Sequence, residues 1–416
     1  MKNYVLMALV CIHLGAVAQQ GQEIRLTGRS NSAAAMQQPY VILISADGFR
    51  WDFAEQFGAT NLLKLRQQGV QARYLRPGFP SLTFPNHYSI VTGLYPSGHG
   101  IVDNNFFDPA LQRRYAMNNK KAVQDGIFYG GVPLWTLAEQ QQMLAASYFW
   151  VGSEAPIGGS FQTYRFPYTE HAPIGERIAG VKAWLQLPDA ERPHLITFYM
   201  PEVDHAAHSH GVAAAETGAA VKFVDDAIGQ LVQAIAPLGL PVNFIFVSDH
   251  GMTEVRTDKW LSLPPSVDTA KFVVAAGDVV IHLYAKNHDD IAPAYRKLKK
   301  EARHFRVYRA EEVPTRWHYA KKDDRYGRIG DLILVAERPY VFNLSAKKLT
   351  PGKHGYDPAL RDMRGVFYAW GPAFRPNRTI RGFDNIHIYP LVARILGLRI
   401  TQAVDGRAEV LEGLLR

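Results

Sequence analysis

The stretch Tyr40-Val41-Ile42-Leu43-Ile44-Ser45-Ala46-Asp47 decides the fold: an unbroken apolar run of strand length that ends in a carboxylate. A strand with water on one face alternates polar and apolar residues, whereas one buried on both faces reads as a continuous apolar run, as in a parallel sheet. Two later runs have the same texture, His194-Leu-Ile-Thr-Phe-Tyr-Met200 and Pro241-Val-Asn-Phe-Ile-Phe-Val-Ser248. Helical patterns lie around them at 84–93, 134–145, 174–187 and 213–236. Strands alternating with helices predict an α/β fold with a mostly parallel central sheet and helices on both faces.

Each run delivers an acid. Asp47 follows the first, Asp204 lies four residues beyond the second, and Asp249-His250 follow the third. In open parallel sheets, sites form outside the carboxyl ends of the strands, so the three acids can converge there. One aspartate after a strand is ordinarily a turn former or a helix cap. Three of them with histidines nearby point to a metal centre. The candidate ligands are Asp47, Asp204, His208, Asp249, His250 and His354, and Asp204 and His208 share one helix face at i and i+4. Carboxylate and imidazole without thiolate suit zinc or manganese at a catalytic site. Six groups give three ligands to each of two ions, and two ions ~4 Å apart can clamp an in-line displacement at phosphorus. With 15 histidines in the chain several are bystanders, His205 and His210 first among them.

A nucleophile is expected beside such a centre. Pro80-Ser-Leu-Thr-Phe-Pro-Asn-His87 is a proline-punctuated turn that leads into an apolar helix. Thr83 reads either as a plain N-cap or as a hydroxyl activated by a metal at the positive end of a helix. In the second reading it attacks phosphorus and forms a phosphothreonyl intermediate that water releases. Ser81 is the rival nucleophile.

Thr83-Phe-Pro-Asn-His-Tyr-Ser-Ile-Val-Thr-Gly-Leu-Tyr-Pro96, followed by His99-Gly-Ile-Val-Asp-Asn104, resembles the nucleophile segment of the nucleotide pyrophosphatase/phosphodiesterase family, a branch of the alkaline phosphatase superfamily. Asp47-Gly-Phe-Arg50, Gly131-Val-Pro-Leu-Trp135, Trp150 with Gly152-Ser-Glu154, Ser248-Asp-His-Gly-Met252, Lys353-His-Gly-Tyr356 and the 389–398 segment extend the resemblance in family order. It implies an alkaline phosphatase-like fold and a two-zinc (Zn2+) site. Asp47, Thr83, Asp249 and His250 would surround one ion, and Asp204, His208 and His354 would hold the other. It further implies that Asn104 donates to a non-bridging phosphate oxygen, and that Phe84, Tyr168 and Tyr199 grip a base by stacking. The chain departs from the family pattern in Glu202-Val-Asp-His-Ala-Ala-His-Ser-His-Gly-Val212, where Val203, Ala207 and Val212 replace Pro, Gly and Pro. The ligand spacing survives, and the shape of the loop on the leaving-group side is what changes.

Composition sets the outer bounds. A chain of 416 residues, 47% hydrophobic and 20% charged, is a packed globular protein rather than a disordered or coiled-coil one. Its 46 Lys and Arg against 38 Asp and Glu give +8, which favours anionic ligands. Residues 1–18, with Lys2, an apolar run and Ala16-Val-Ala18, read as a secretory signal peptide; its removal takes the charge from +8 to +7 and removes Cys11, the one cysteine. A lipid anchor on Cys11 is the alternative. A flexible leader is expected at 19–38, a catalytic α/β domain at 39–256 and 352–416, and a small α+β insertion at 257–351. Within the insertion, 271–284 reads as two short strands, 291–304 as a basic helix, 295–309 as a solvated basic face, and 330–343 as a hairpin.

The resulting expectation is an exported enzyme, periplasmic or secreted, acting on a small-molecule phosphodiester or nucleotide. No later apolar run approaches the ~18 residues of a membrane span, and no nucleic-acid partner is expected. A phosphomonoesterase, a phosphonate hydrolase, and a zinc- or phosphate-binding protein without turnover are the competing readings. Sulfatase chemistry through an oxidised cysteine is excluded once the thiol is removed. The sequence carries no signal for the oligomeric state.

Overall fold

The apolar runs become the centre of a sheet. The structure, a computed structural model, describes residues 21–416, so the expected signal peptide at 1–18 lies outside the described residues. The elements that position the site are, in chain order, β1 (Ile24–Arg25), β2 (Tyr40–Ala46), α1 (Phe53–Phe57), α2 (Thr60–Gln67), β3 (Val70–Ala72) and α3 (Thr83–Thr92). Then come α4 (Leu134–Gln140), β4 (Ala145–Tyr148), β5 (Tyr164–Phe166), α5 (Ile174–Leu185), β6 (Leu195–Met200), α6 (Glu202–His210), α7 (Ala215–Ile235) and β7 (Val242–Val247). A four-stranded unit follows, made of β8 (Phe272–Ala276), β9 (Val280–Ala285), α8 (Ile291–Glu301), β10 (Phe305–Arg309) and β11 (Leu332–Ala336). The chain closes with β12 (Phe367–Trp370), β13 (Arg378–Ile380) and α9 (Ile388–Ile395).

Among the described residues, nine strands form the main sheet in the order β1-β5-β4-β6-β2-β7-β12-β3-β13. The run from β5 through β4, β6 and β2 to β7 is parallel, and β12 enters antiparallel to β7. Side chains of β2 alternate between two cores. Val41 and Leu43 pack with Ile90 and Val91 of α3 and Leu391 of α9, while Ile42 and Ile44 pack with Val221, Val224 and Ile228 of α7 and Phe53 of α1. The sheet is therefore covered by helices on both faces, which is why its central strands carry no polar alternation. Ala46 pairs with Met200, and Ser45 with Val247, so the three central strands end level and their following loops open on one side.

Several expectations differ from what is seen. Residues 21–38 are not a free leader: Ile24–Arg25 adds antiparallel to β5, and the buried Asn31 donates to the carbonyls of Asp189 and Arg192 while accepting from Leu144 N–H. Polar side chains that bond specific backbone groups hold this segment, and composition alone does not reveal them. The 134–145 helix stops at Gln140, and Ala145–Tyr148 is a buried strand. The basic stretch 295–309 is not one helical face. Helix α8 ends at Glu301, His304 turns the chain at φ 62°, and β10 buries Phe305 and Val307. The expected 330–343 hairpin has one arm in the sheet, because β11 pairs with β9 and β10 while the 341–343 segment bonds to Leu261.

The β8-β9-β11-β10 sheet lies against the catalytic side through Arg328. Its guanidinium is buried, paired with Asp108 at 2.7 Å, and donates to the carbonyls of Gly100, Ile127 and Phe128.

Candidate active site

The loops after β2, β6 and β7 carry Asp47, Asp204 and Asp249 to one point. The loops approach closely at Gly48, whose φ is +65° and where a Cβ would stand 3.0 Å from Asp204 Cα. Only glycine fits both the angle and the space. Gly48 N–H then donates to Asp249 Oδ1 at 3.2 Å, tying the first loop to the third.

Thr83 opens α3, and its side chain caps nothing: the cap position is Leu82, which makes no side-chain cap bond. Its hydroxyl instead lies 3.2 Å from His250 Nε2. Asn86, one turn on, ties the preceding loop by donating to the carbonyls of Pro80 and Leu82 and accepting from Gly78 N–H. The rival Ser81 spends its hydroxyl on the carbonyl of Tyr356.

The three candidate histidines are oriented alike. His208 Nδ1–H donates to Gly352 O at 2.7 Å, His250 Nδ1–H to Gly251 O at 2.8 Å, and His354 Nδ1–H to Ser81 O at 2.9 Å. Each bond fixes the tautomer and directs the Nε2 lone pair into the site, the usual arrangement for a metal-ligating imidazole. His354 Nε2 lies 3.0 Å from His208 Nε2 and 3.7 Å from Asp204 Oδ1. His250 Nε2 lies 2.9 Å from Asp249 Oδ2 and 3.5 Å from Asp47 Oδ1.

These atoms form two overlapping groups, Asp47–Asp249–His250 and Asp204–His250–His354, with ligand atoms in each within 4.8 Å of one another. His250 belongs to both groups, and His208 stands at the outer edge, 3.4 Å from Asp204 Oδ1. Asp47 Oδ1 and Asp204 Oδ1 are buried without a hydrogen-bond partner, and the buried Asp249 Oδ2 faces the imidazoles of His250 and His87. Three buried carboxylates facing one another are costly unless cations neutralise them, so the donor set fits divalent metal.

The electrostatics report the same crowding. Burial, then the charges of Asp249 and Asp204, push the Asp47 carboxyl well above its ordinary range. Burial also pushes Asp249 up, but His250 and His87 outweigh it and hold that carboxyl well below its usual value. Burial and the neighbouring His250 and His208 drive His354 well below the ordinary imidazole range.

Two cavities meet at Thr83 and Asp204. One, of about 340 Å³, is walled by Phe84, Trp150, Tyr168 and Tyr199; the other, of about 270 Å³, is walled by Asn104, His208, Lys353, His354 and the 276–280 turn. In the first, Tyr199 donates to Asp47 Oδ2 at 2.6 Å, and burial followed by the Asp47 charge raises its phenol well above the usual value. Tyr168 is 44% exposed and packs on Tyr199 with ring centroids 6.2 Å apart. Asn104 Oδ1 accepts from Phe84 N–H at 3.0 Å, which frees its amide NH₂ to donate elsewhere. His205 and His210 are each 48% exposed at the side chain and face Glu170 and Glu216, although His205 also borders the first cavity.

One residue escapes the sequence reasoning. His87 is fully buried, its Nδ1–H faces the Thr83 carbonyl at 3.0 Å and Asp249 Oδ2 at 3.3 Å, and its Nε2 pairs with the Ser45 hydroxyl at 2.8 Å. Its i+4 spacing from Thr83 was the available signal.

Residues 41–357 match the sequence family described as type I phosphodiesterase / nucleotide pyrophosphatase. The chain belongs to that family. Among relatives of this phosphodiesterase-family chain, mouse ectonucleotide pyrophosphatase/phosphodiesterase family member 1 is 35% identical over 381 residues, covering 88% of this chain and 41% of the relative. A venom phosphodiesterase of Crotalus durissus collilineatus is 33% identical over 388 residues, covering 90% of this chain and 46% of the relative. The chain thus spans less than half the length of these curated relatives.

Solved structures of family members superpose over most of the chain. Murine ectonucleotide pyrophosphatase/phosphodiesterase 5 matches with a TM-score of 0.84 at 29% identity, covering 91% of this chain and 100% of the other. An inactive threonine-to-alanine variant of the same murine protein, in complex with AMP, matches with a TM-score of 0.85 at 28% identity. The phosphodiesterase-family chain has the alkaline phosphatase-like fold of these neighbours, with its sheet, helices and site loops in the arrangement described above.

Proposed function

We propose that this chain is an exported two-zinc phosphodiesterase/nucleotide pyrophosphatase that cleaves phosphodiester or phosphoanhydride bonds through a phosphothreonine intermediate that still carries the nucleoside, and releases nucleoside monophosphate. The observation that carries the reading is the Thr83 hydroxyl, 3.2 Å from His250 Nε2 at the meeting point of two cavities and three buried carboxylates. A binding protein has no need of a hydroxyl there. The oxygen and nitrogen donor set, open to two cavities, favours catalytic zinc.

The chain's own residues divide the work. Thr83 Oγ1 attacks phosphorus as the bond to the leaving oxygen breaks on the opposite side, and the hydroxyl proton passes to solvent. The N-terminus of α3 and the Asn104 amide stabilise charge on the non-bridging oxygens. Phe84, Tyr168 and Tyr199 hold a nucleoside in the aromatic cavity, which places the leaving group toward Asp204, His208 and His354. Water then cleaves the Thr83–phosphorus ester from that side, which releases the nucleoside monophosphate and returns a proton to the hydroxyl. Zinc held by Asp47, Asp204, His208, Asp249, His250 and His354 would neutralise the carboxylates, lower the hydroxyl pKa and stabilise charge that develops during displacement.

Support for the substrate class comes from the family, the aromatic cavity and the AMP-bound murine neighbour. Support for export comes from the sequence of residues 1–18. No helix among the described residues is long and apolar enough to cross a membrane. The test compares kcat/KM for bis-(p-nitrophenyl) phosphate with that for the mono-nitrophenyl ester, before and after chelation and zinc return. Expected are a diester preference, loss of activity on chelation and its return with zinc. A strong monoester preference, or turnover indifferent to chelation, overturns the reading. N-terminal sequencing of the mature protein checks export, with a first residue at 19 expected.

A further inference from the structure

The two cavities differ in chemistry, and the difference assigns a role to the 257–351 segment. The first is aromatic. The second is polar, and Lys353 is the one lysine or arginine among the described residues that line it. In-line displacement at Thr83 sends the leaving group toward Asp204, His208 and His354, which is into this second cavity. We infer that Lys353, with Asp278 of the β8–β9 turn set against it, determines specificity there by selecting substrates whose leaving group is itself anionic, such as a phosphate chain. The inference rests on the phosphodiesterase reading above and adds to it the class of leaving group.

Lys353 is held rigidly beside the ligand set. Gly352 and Lys353 pair with Glu254 and Thr253, and the Gly352 carbonyl receives the Nδ1–H of His208. The backbone packs so closely on α6 that a Cβ at Gly352 would fall 2.0 Å from the carbonyl oxygen of Ala207. The Lys353 side chain is 13% exposed, and its ammonium bonds Asp278, which is 54% exposed. An ammonium has three donors, so the pair leaves two for an incoming oxygen. The β8–β9 turn that presents Asp278 is closed by Gly277 N–H on Val280 O at 2.8 Å, and Phe342 N–H holds the Asp278 carbonyl at 2.7 Å.

The other acids facing this cavity are committed. Asp204 belongs to the ligand set, and Asp103 Oδ1 accepts from Asn105 N–H while its second oxygen faces the buried His282 at 3.6 Å. Asp278 is the acid free to swing into water. A leaving group bearing negative charge displaces it and takes the Lys353 ammonium, a charge-assisted contact that an uncharged leaving group cannot make. The β8–β9 turn is thereby a wall of the substrate cleft.

The experiment uses the zinc-loaded full chain and two substrates with the same nucleoside: ATP, whose leaving diphosphate is charged before the bond breaks, and the p-nitrophenyl ester of AMP, whose aryl group is neutral until then. The readout is the ratio of their kcat/KM values. Lys353→Met is expected to lower the ATP-to-ester ratio about tenfold, equivalent to about 1.4 kcal/mol. Lys353→Arg retains more of the ratio than Lys353→Met, because the charge remains although its geometry changes. Asp278→Asn raises the ratio, because a competing carboxylate is gone. If Lys353→Met lowers both substrates equally, or if neither variant moves the ratio, the inference fails while the phosphodiesterase reading stands. Wild-type protein that cleaves neither substrate overturns both.

Discussion

The Thr83 hydroxyl stands 3.2 Å from Nε2 of His250, the imidazole that belongs to both groups of candidate metal ligands. The proposed nucleophile is thus attached to the most shared atom of the site. Any change at either residue is felt by the Thr83 oxygen and by both candidate ligand groups at once, so their effects will be non-additive.

Thr83→Ala is expected to reduce kcat by on the order of 10³-fold or more, as for loss of a nucleophile. Thr83→Ser retains a hydroxyl and part of the activity. Because Thr83 makes no cap bond, thermal stability should barely move. Acid-quench trapping of nucleotide labelled at its α-phosphorus on the wild type and not on Thr83→Ala checks the covalent step.

His87→Leu is expected to act through the metal. It leaves Asp249 Oδ2 and the Ser45 hydroxyl without their imidazole partner, and loss of an outer-shell partner typically weakens metal binding about 10–100-fold. Competition with a chromophoric chelator measures this directly, and unchanged zinc affinity would sink the assignment.

His99 predicts an acid limb in stability. It is fully buried, its Nδ1 accepts from Ile101 N–H at 3.2 Å, and its Nε2 lies 3.1 Å from the Pro85 carbonyl and 3.0 Å from the Ser89 hydroxyl. Burial, with Arg328 nearby, pulls its pKa from 6.5 to about 3. The unfolded chain therefore binds this proton first. Stability from this group is fully present above pH 6.5 and falls as the pH drops from 6.5 toward 3, at up to about 1.4 kcal/mol per pH unit. Urea titrations across that range should show a shallower acid slope for His99→Gln.

Arg328→Met removes one member of a buried pair with Asp108 and the donors to three carbonyls. Leaving that carboxylate buried alone costs about 3–5 kcal/mol. The double variant with Asp108→Asn should recover part of the loss in chemical denaturation, because it removes the uncompensated charge.

Legibility in the sequence followed the length and continuity of the pattern. The runs at β2, β6 and β7 were readable because strands buried on both faces need no polar alternation, and their level ends explain why Asp47, Asp204 and Asp249 meet. β4 was hidden because Ala145-Ala-Ser-Tyr148 is short and continues a helical pattern. β10 was hidden because Arg306 and Arg309 extend the charge run of α8. The 21–38 segment was misread because its order comes from Asn31 and other specific bonds to distant backbone, which composition averages away. His87 was present in the motif but silent, since a histidine that faces a candidate ligand has the same letter as one that packs.

The imidazoles of His208, His250 and His354 all hand their Nδ1 protons to main-chain carbonyls, those of Gly352, Gly251 and Ser81. A carbonyl cannot be mutated away. The aim of the three rings is therefore tied to the path of the chain, and drift in surrounding side chains leaves it in place. The cleft walls carry no such insurance, since the parts proposed for Tyr168, Asp278 and Lys353 rest on side chains alone. A lineage built on this plan can exchange what it binds while its reacting centre stays the same.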